Sequence, residues 1–183
     1  DFGAYPRDAF YEDLGRVTQY RTDPELAGTL IDNSYATLRW MRGLGVRFLP
    51  LYGRQSYKVD GRVRFWGGLT VEAWGGGPGL VESLTNIARK HGVEIRYDSR
   101  AVGLMTESGR ISGVRIRSGL QEHELPADAV VLACGGFESG ATWRARYLGA
   151  GWDLAKVRGT RFNTGDGIQM ALDIGAAPRG HFS

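Results

Sequence analysis

Apolar positions spaced three and four apart run through residues 23–42, where Leu26, Leu30, Ser34 or Ile31, Leu38 and Met41 fall on one face of a helix. Thr22 or Asp23 stands where a capping side chain is wanted, Pro24 suits the first helical position, and Glu25 puts negative charge in the first turn. Gly43 or Gly45 ends the pattern. Residues 46–49 and 57–65 read as short strands, the second stretch folded at Asp60-Gly61. Beyond a glycine-rich stretch, Pro78 and Gly79 open a second helix with Leu80, Val81, Leu84, Ile87 and Ala88 on one face, closed by His91-Gly92.

The period then changes to two. Residues 93–97 follow the helix at once, as in an αβ step of a parallel sheet, and 101–105, 110–117 and 121–125 form a three-stranded meander turned at Glu107-Ser108-Gly109 and Ser118-Gly119. Residues 129–133 are a continuous apolar run, the pattern of a strand buried on both faces. A last helix is predicted over 167–175, with Ile168, Met170 or Ala171, and Leu172 inward and Asp166 at its cap. The fold class is therefore α/β with a β-meander insert, helical and glycine-rich over residues 1–92 and dominated by sheet over residues 93–183.

Composition changes this picture in two places. Glycine makes up 28 of 183 residues, about 15% against a usual ~7%. The glycines cluster at element edges, where a backbone must approach something closely or take a positive φ. The charge, 23 Lys plus Arg against 20 Asp plus Glu, is too even for a nucleic-acid signature. One cysteine and three scattered histidines argue against a disulfide framework and a metal cluster and fit a reducing, cytoplasmic setting. No run approaches the ~18 apolar residues of a membrane span. The chain starts without Met and opens and closes in mid-pattern, so it is expected to be a piece of a longer protein.

The chemistry concentrates in two motifs. Ala133-Cys134-Gly135-Gly136-Phe137 follows the apolar run, at the place where open α/β sheets put their ligands; the plain alternative is a tight strand exit. Cys134 reads as a small buried side chain before it reads as a nucleophile, because nothing adjacent supplies a base or a positive charge. Asn163-Thr164-Gly165-Asp166-Gly167 presents two cap residues among glycines at a helix start, where a polar or anionic ligand could be held; Asp166 could equally be only a cap. Gly75-Gly76-Gly77-Pro78-Gly79 lacks G-x-G-x-x-G spacing and follows no convincing buried strand. Arg144, Arg146, Lys156, Arg158 and Arg161, interleaved with Trp143, Tyr147 and Trp152, read as a solvated loop or as positive groups near an anionic substrate.

The order of elements with these two motifs and Gly175-Ala176 resembles the flavoprotein subunit family of fumarate reductases and succinate dehydrogenases. Tyr52-Gly53-Arg54-Gln55, Phe65-Trp66-Gly67-Gly68-Leu69 and the run from Gly151 through Phe162 look most like its tricarballylate dehydrogenase and precorrin-oxidising branches. The resemblance implies a partial, Rossmann-like FAD-binding domain and an FAD-dependent oxidoreductase acting on a small-molecule carboxylate such as tricarballylate, with a non-catalytic binding module as the reading from another class. It implies that Ala133, Cys134 and Gly135 approach the FAD adenosine and pyrophosphate. The backbone of Ala101 and Val102 would meet the adenine, and Asp166, beside Thr164 and Gly165, would hydrogen-bond the cofactor. The family's G-x-G-x-x-G unit and its catalytic residues have no counterpart in these 183 residues, so the isolated piece is expected to be inactive. Residues 93–97 and 129–133 are expected to leave unpaired sheet edges through which copies self-associate.

Overall fold

The computed structural model of the chain describes residues 4–178. It divides into two compact units, Asp1–Ile95 and Arg96–Ser183.

The first unit opens with α1 (Arg7–Val17) and α2 (Pro24–Leu44). α2 stands where the spacing predicts it. The Asp23 carboxylate accepts from the amides of Glu25 and Leu26 at 3.0 and 3.2 Å, satisfying two donors that the first helical turn leaves without partners. Gly45 caps the other end. The inward stripe is displaced from the predicted one. Ala27 and Ile31 are buried and Ser34, Leu38 and Met41 half-buried, whereas Leu26 and Leu30 face out at 70% and 58% exposure. The reason is α1, which packs on α2 with the small residues Gly15 and Ala27 buried and with Arg7 Nε 2.6 Å from Asp32 Oδ1. α1 itself escaped the sequence reading, its apolar Phe10 and Leu14 being diluted by charged neighbours and its cap position held by Pro6, which offers no side-chain bond.

β1 (Phe48–Pro50) pairs antiparallel with β4 (Val71–Ala73). Between them lie a single helical turn, α3 (Tyr52–Gln55), and the hairpin of β2 (Ser56–Val59) and β3 (Arg62–Phe65), closed at Asp60-Gly61 with both φ values positive as a type I′ turn requires. α4 (Gly76–Lys90) begins two residues before Pro78 and buries Leu80, Leu84, Ile87 and Ala88 halfway, leaving Val81 exposed. Its glycine run is explained by chain crossing: a Cβ on Gly79 would lie 2.0 Å from the Trp74 carbonyl oxygen, and the Gly79 amide donates to the Gly75 carbonyl.

The second unit is built on the predicted meander. β5 (Arg100–Glu107), β6 (Arg110–Ser118) and β7 (Gln121–Pro126) form an antiparallel sheet in that order, with Ile116 buried. α5 (Ala141–Leu148), a 3-10 turn at Trp152–Leu154 and α6 (Asp166–Asp173) follow. Two predicted strands are absent. Residues 93–97 and 129–133 have no secondary structure and belong to none of the sheets among the described residues. A strand is a pairing rather than a property of one segment, and the apolar run has no ladder beside it, so Val131 is 90% exposed instead of buried on both faces. The expected unpaired edges are therefore not strand edges in this structure. No helix among the described residues is long and apolar enough to cross a membrane.

Candidate functional site

β5 starts with an irregular register. Ala101 pairs with Ile116 and Gly103 with Arg115, which leaves Val102 without a partner position on β6. A bulge of this kind takes backbone polar groups out of the ladder and turns them toward whatever lies alongside. α6 lies alongside. It contributes Asp166, whose Oδ2 accepts from Arg100 Nε at 2.9 Å and lies 2.7 Å from a terminal nitrogen of the same guanidinium. The Thr164 hydroxyl donates to Oδ1 at 2.9 Å. Asp166 is thus not the helix cap: Gly165 takes that position in a left-handed conformation and no side chain accepts from the first amides, because the carboxylate is turned to Arg100 and Thr164 instead.

Ala101, Val102 and Asp166 line one shallow cleft of about 180 Å³ together with Gln169, Met170 and Asp173. Arg100 and Asp166 also border a wider cleft of about 900 Å³ that Arg117, Arg161, Phe162 and Thr164 help to line. Arg117 is neutralised by Glu122 at 2.6 Å, whereas Arg161 lies over the Phe162 ring, 5.0 Å from its centroid.

The two glycine motifs, far apart in sequence, are packed against each other. Gly165 donates to the Gly136 carbonyl at 3.1 Å, and Ser139 to that of Asn163 at 2.8 Å. Gly165 has φ of 86°, and a Cβ there would meet the Trp143 ring at 2.9 Å. A Cβ on Gly167 would press on Cys134 at 3.0 Å. Cys134 and Gly135, with Leu132, Gly167, Ile168, Ala171 and Leu172, line an apolar cleft of about 320 Å³; Ala133 lies exposed between two of these residues. The Cys134 thiol is exposed, not buried as its apolar surroundings in sequence predict, because no strand covers the run that carries it. The Asn163 side-chain amide donates to the Glu138 carboxylate and, with help from the residue's own backbone N–H, holds its pKa below the usual carboxylate value; slight desolvation works the other way.

The basic stretch beyond this loop is only partly a solvated one. Arg146, Lys156, Arg158 and Arg161 are exposed, but Arg144 is buried at 7% exposure and donates to the carbonyls of Glu138 at 2.5 Å, Trp152 at 2.8 Å, Asp153 at 2.9 Å and Ala155 at 3.2 Å. Trp143 and Tyr147 turn inward onto Phe137, with ring centroids 5.1–5.9 Å apart. Arg144 alone of this stretch is an internal brace, formed because bends around 138 and 149–155 leave carbonyls that only a forked, five-donor side chain satisfies together. Sequence reasoning also missed Arg100. Its partner is 66 residues away, beyond any local spacing rule.

The chain is 27% identical over 170 residues to a probable fumarate reductase of Shewanella frigidimarina, covering 92% of this chain and 28% of that protein. It is 30% identical over 129 residues to the 3-oxosteroid 1-dehydrogenase of Mycobacterium tuberculosis, covering 67% of this chain and 23% of that one. The chain therefore spans about a quarter of the length of these curated relatives. Among solved structures, the open conformation of a flavocytochrome c3 fumarate reductase superposes with a TM-score of 0.77 at 25% identity over 94% of this chain and 30% of that one. A 3-ketosteroid delta1-dehydrogenase from Sterolibacterium denitrificans reaches a TM-score of 0.71 at 17% identity, over 94% of this chain and 44% of that chain, a likeness of fold alone. The family model described as FAD binding domain matches residues 4–182, so nearly the whole of this chain belongs to the FAD binding domain family of flavoproteins.

Proposed function

We propose that this chain forms the adenosine-side wall of the FAD site in an oxidoreductase acting on a small di- or tricarboxylate, tricarballylate being the specific candidate. The observation that carries the reading is the shared cleft of Ala101, Val102 and Asp166. The register break leaves Val102 without a partner position on β6, where a base edge would meet the backbone, and a carboxylate already held by Arg100 and Thr164 keeps acceptor capacity for a hydroxyl. Gly135 and Gly167 are glycines because Asn163 and Cys134 occupy the space a Cβ would need, and the apolar cleft that both glycines line offers a surface for a flat group.

FAD, when bound, supplies the hydride-accepting or hydride-donating centre. This chain's own residues would bind and orient: Asp166 would accept a hydrogen bond from a cofactor hydroxyl, and Val102 would fix the base by its backbone. The carboxylate preference is supported by the longer alignment with the fumarate reductase relative, 92% of the chain against 67% for the steroid dehydrogenase. A 3-oxosteroid is the second reading, favoured by the higher identity, 30% against 27%.

The test has two stages. Flavin fluorescence quenching with the 183-residue chain is expected to show weak binding, micromolar rather than nanomolar, or none, because the chain has no G-x-G-x-x-G helix start for the pyrophosphate, and about 4 kcal/mol lost there is a thousandfold. Tight stoichiometric flavin would show that the remaining residues suffice. The full translated product containing this sequence, loaded with FAD and reduced, is then expected to be reoxidised by an unsaturated di- or tricarboxylate; reoxidation by a 3-keto steroid alone would overturn the substrate class.

A further inference from the structure

We infer that Arg100 is a positioning residue for FAD, acting through Asp166; the inference rests on the cofactor reading of that carboxylate. Arg100 is the first residue of β5, directly before Ala101 and the irregular Val102. Two of its nitrogens reach one oxygen of Asp166, at 2.7 and 2.9 Å, while the Thr164 hydroxyl takes the other at 2.9 Å. Both carboxylate oxygens are thereby fixed, and so is the rotation of the carboxylate plane. The first turn of α6 is also tied to the first residue of the bulged strand. Ala101 and Val102 stand on one side of the cleft so formed, and Gln169, Met170 and Asp173 on the other. The ion pair therefore sets the spacing between the backbone that would read the base and the carboxylate that would hold a hydroxyl.

The energetics separate this role from a structural one. The side chains of Arg100 and Asp166 are 62% and 32% exposed, and pairs so wet contribute little to folding. Two ends of one ligand held by two walls are more demanding, because a small displacement of either wall costs alignment at both. The pair is consequently expected to matter far more for cofactor affinity than for stability.

The experiment titrates FAD against the flavin-free full translated product containing this sequence and against its Asp166→Ala, Arg100→Ala, Arg100→Lys and charge-swap (Arg100→Asp with Asp166→Arg) variants, with thermal unfolding of each. Asp166→Ala and Arg100→Ala are expected to weaken binding about tenfold or more at nearly unchanged Tm, with no further loss when combined. Arg100→Lys recovers part of the affinity, and the swap keeps the Tm without restoring binding. If Asp166→Ala weakens binding and Arg100→Ala does not, the inference about Arg100 fails and the cofactor reading stands. If Asp166→Ala changes nothing, or the unsubstituted full product binds no flavin, the cofactor reading of Asp166 falls and takes the inference with it. A swap that restores flavin affinity would reduce the pair to a structural clip.

Discussion

Replacing Arg144 with Ala removes a side chain that answers four carbonyls at once, from Glu138 before α5 and from Trp152, Asp153 and Ala155 after it. A hydrogen bond with a charged donor contributes about 1.5–3 kcal/mol, so four would set a loss of at least ~6 kcal/mol if every carbonyl stayed dry. They do not all stay dry. Trp152 and Leu154 are 51% and 83% exposed, which lets water reach the 3-10 turn once the guanidinium is gone. With roughly half of the bonds replaced by water, the expected cost is ~3 kcal/mol. Hydrogen exchange on the amides of residues 138–155 reads this directly, as a rise of about 150-fold in the opening equilibrium. Arg144→Lys is expected to recover less than half, since one ammonium lacks the span of the planar fork. The exposed Arg146→Ala is the control, expected to stay within about ±0.5 kcal/mol of the parent. A loss for Arg144→Ala no larger than that of the control would refute the claim that this arginine braces the loop.

Gly165→Ala combines a φ of 86° with a 2.9 Å approach to Trp143 and is expected to destabilise by about 2–4 kcal/mol in urea unfolding; a neutral result would mean the α6 start can shift without cost. Because the folded pKa of Glu138 lies below its ordinary 4.5, its contact with Asn163 contributes fully above that value and fades as pH falls through the lowered one; the Asn163 side-chain NMR resonances are expected to move only in that acid range, and Glu138→Gln to abolish the movement. Val131 and Leu132, 90% and 38% exposed, are expected to drive concentration-dependent association seen by light scattering, suppressed by Val131→Lys; a strict monomer at high concentration would count against the exposed run as a contact surface.

How much the sequence disclosed depended on how local the cause was. The capped helix α2, the Asp60-Gly61 hairpin and the meander turns were legible because each is decided by residues within one turn of the chain. The facing of Leu26 and Leu30 was not, since it depends on where α1 packs. Residues 129–133 show the opposite error: their composition reports a strand environment, and the ladder that would realise it is not among the described residues. At the candidate site, Asp166 and the glycines announce themselves by type, but Arg100 and Arg144 looked like any surface arginines. Their distinction comes from carbonyls and a carboxylate that the fold delivers to them.

The separation of Arg100 from Asp166 also has a kinetic side. The strands of the meander meet through turns of two residues, whereas the contact that joins β5 to α6 closes a loop of 66 residues. Loop closure grows as about 1.5 RT ln n, so this contact carries ~3 kcal/mol more entropic cost than a tight hairpin. The sheet is then expected to assemble first, in microseconds, and α6 to arrive late as a separate step. A cofactor that bridges the two would bind only after that arrival, so its association rate would report helix docking rather than diffusion, levelling off as FAD concentration rises while the sheet's own folding rate stays the same.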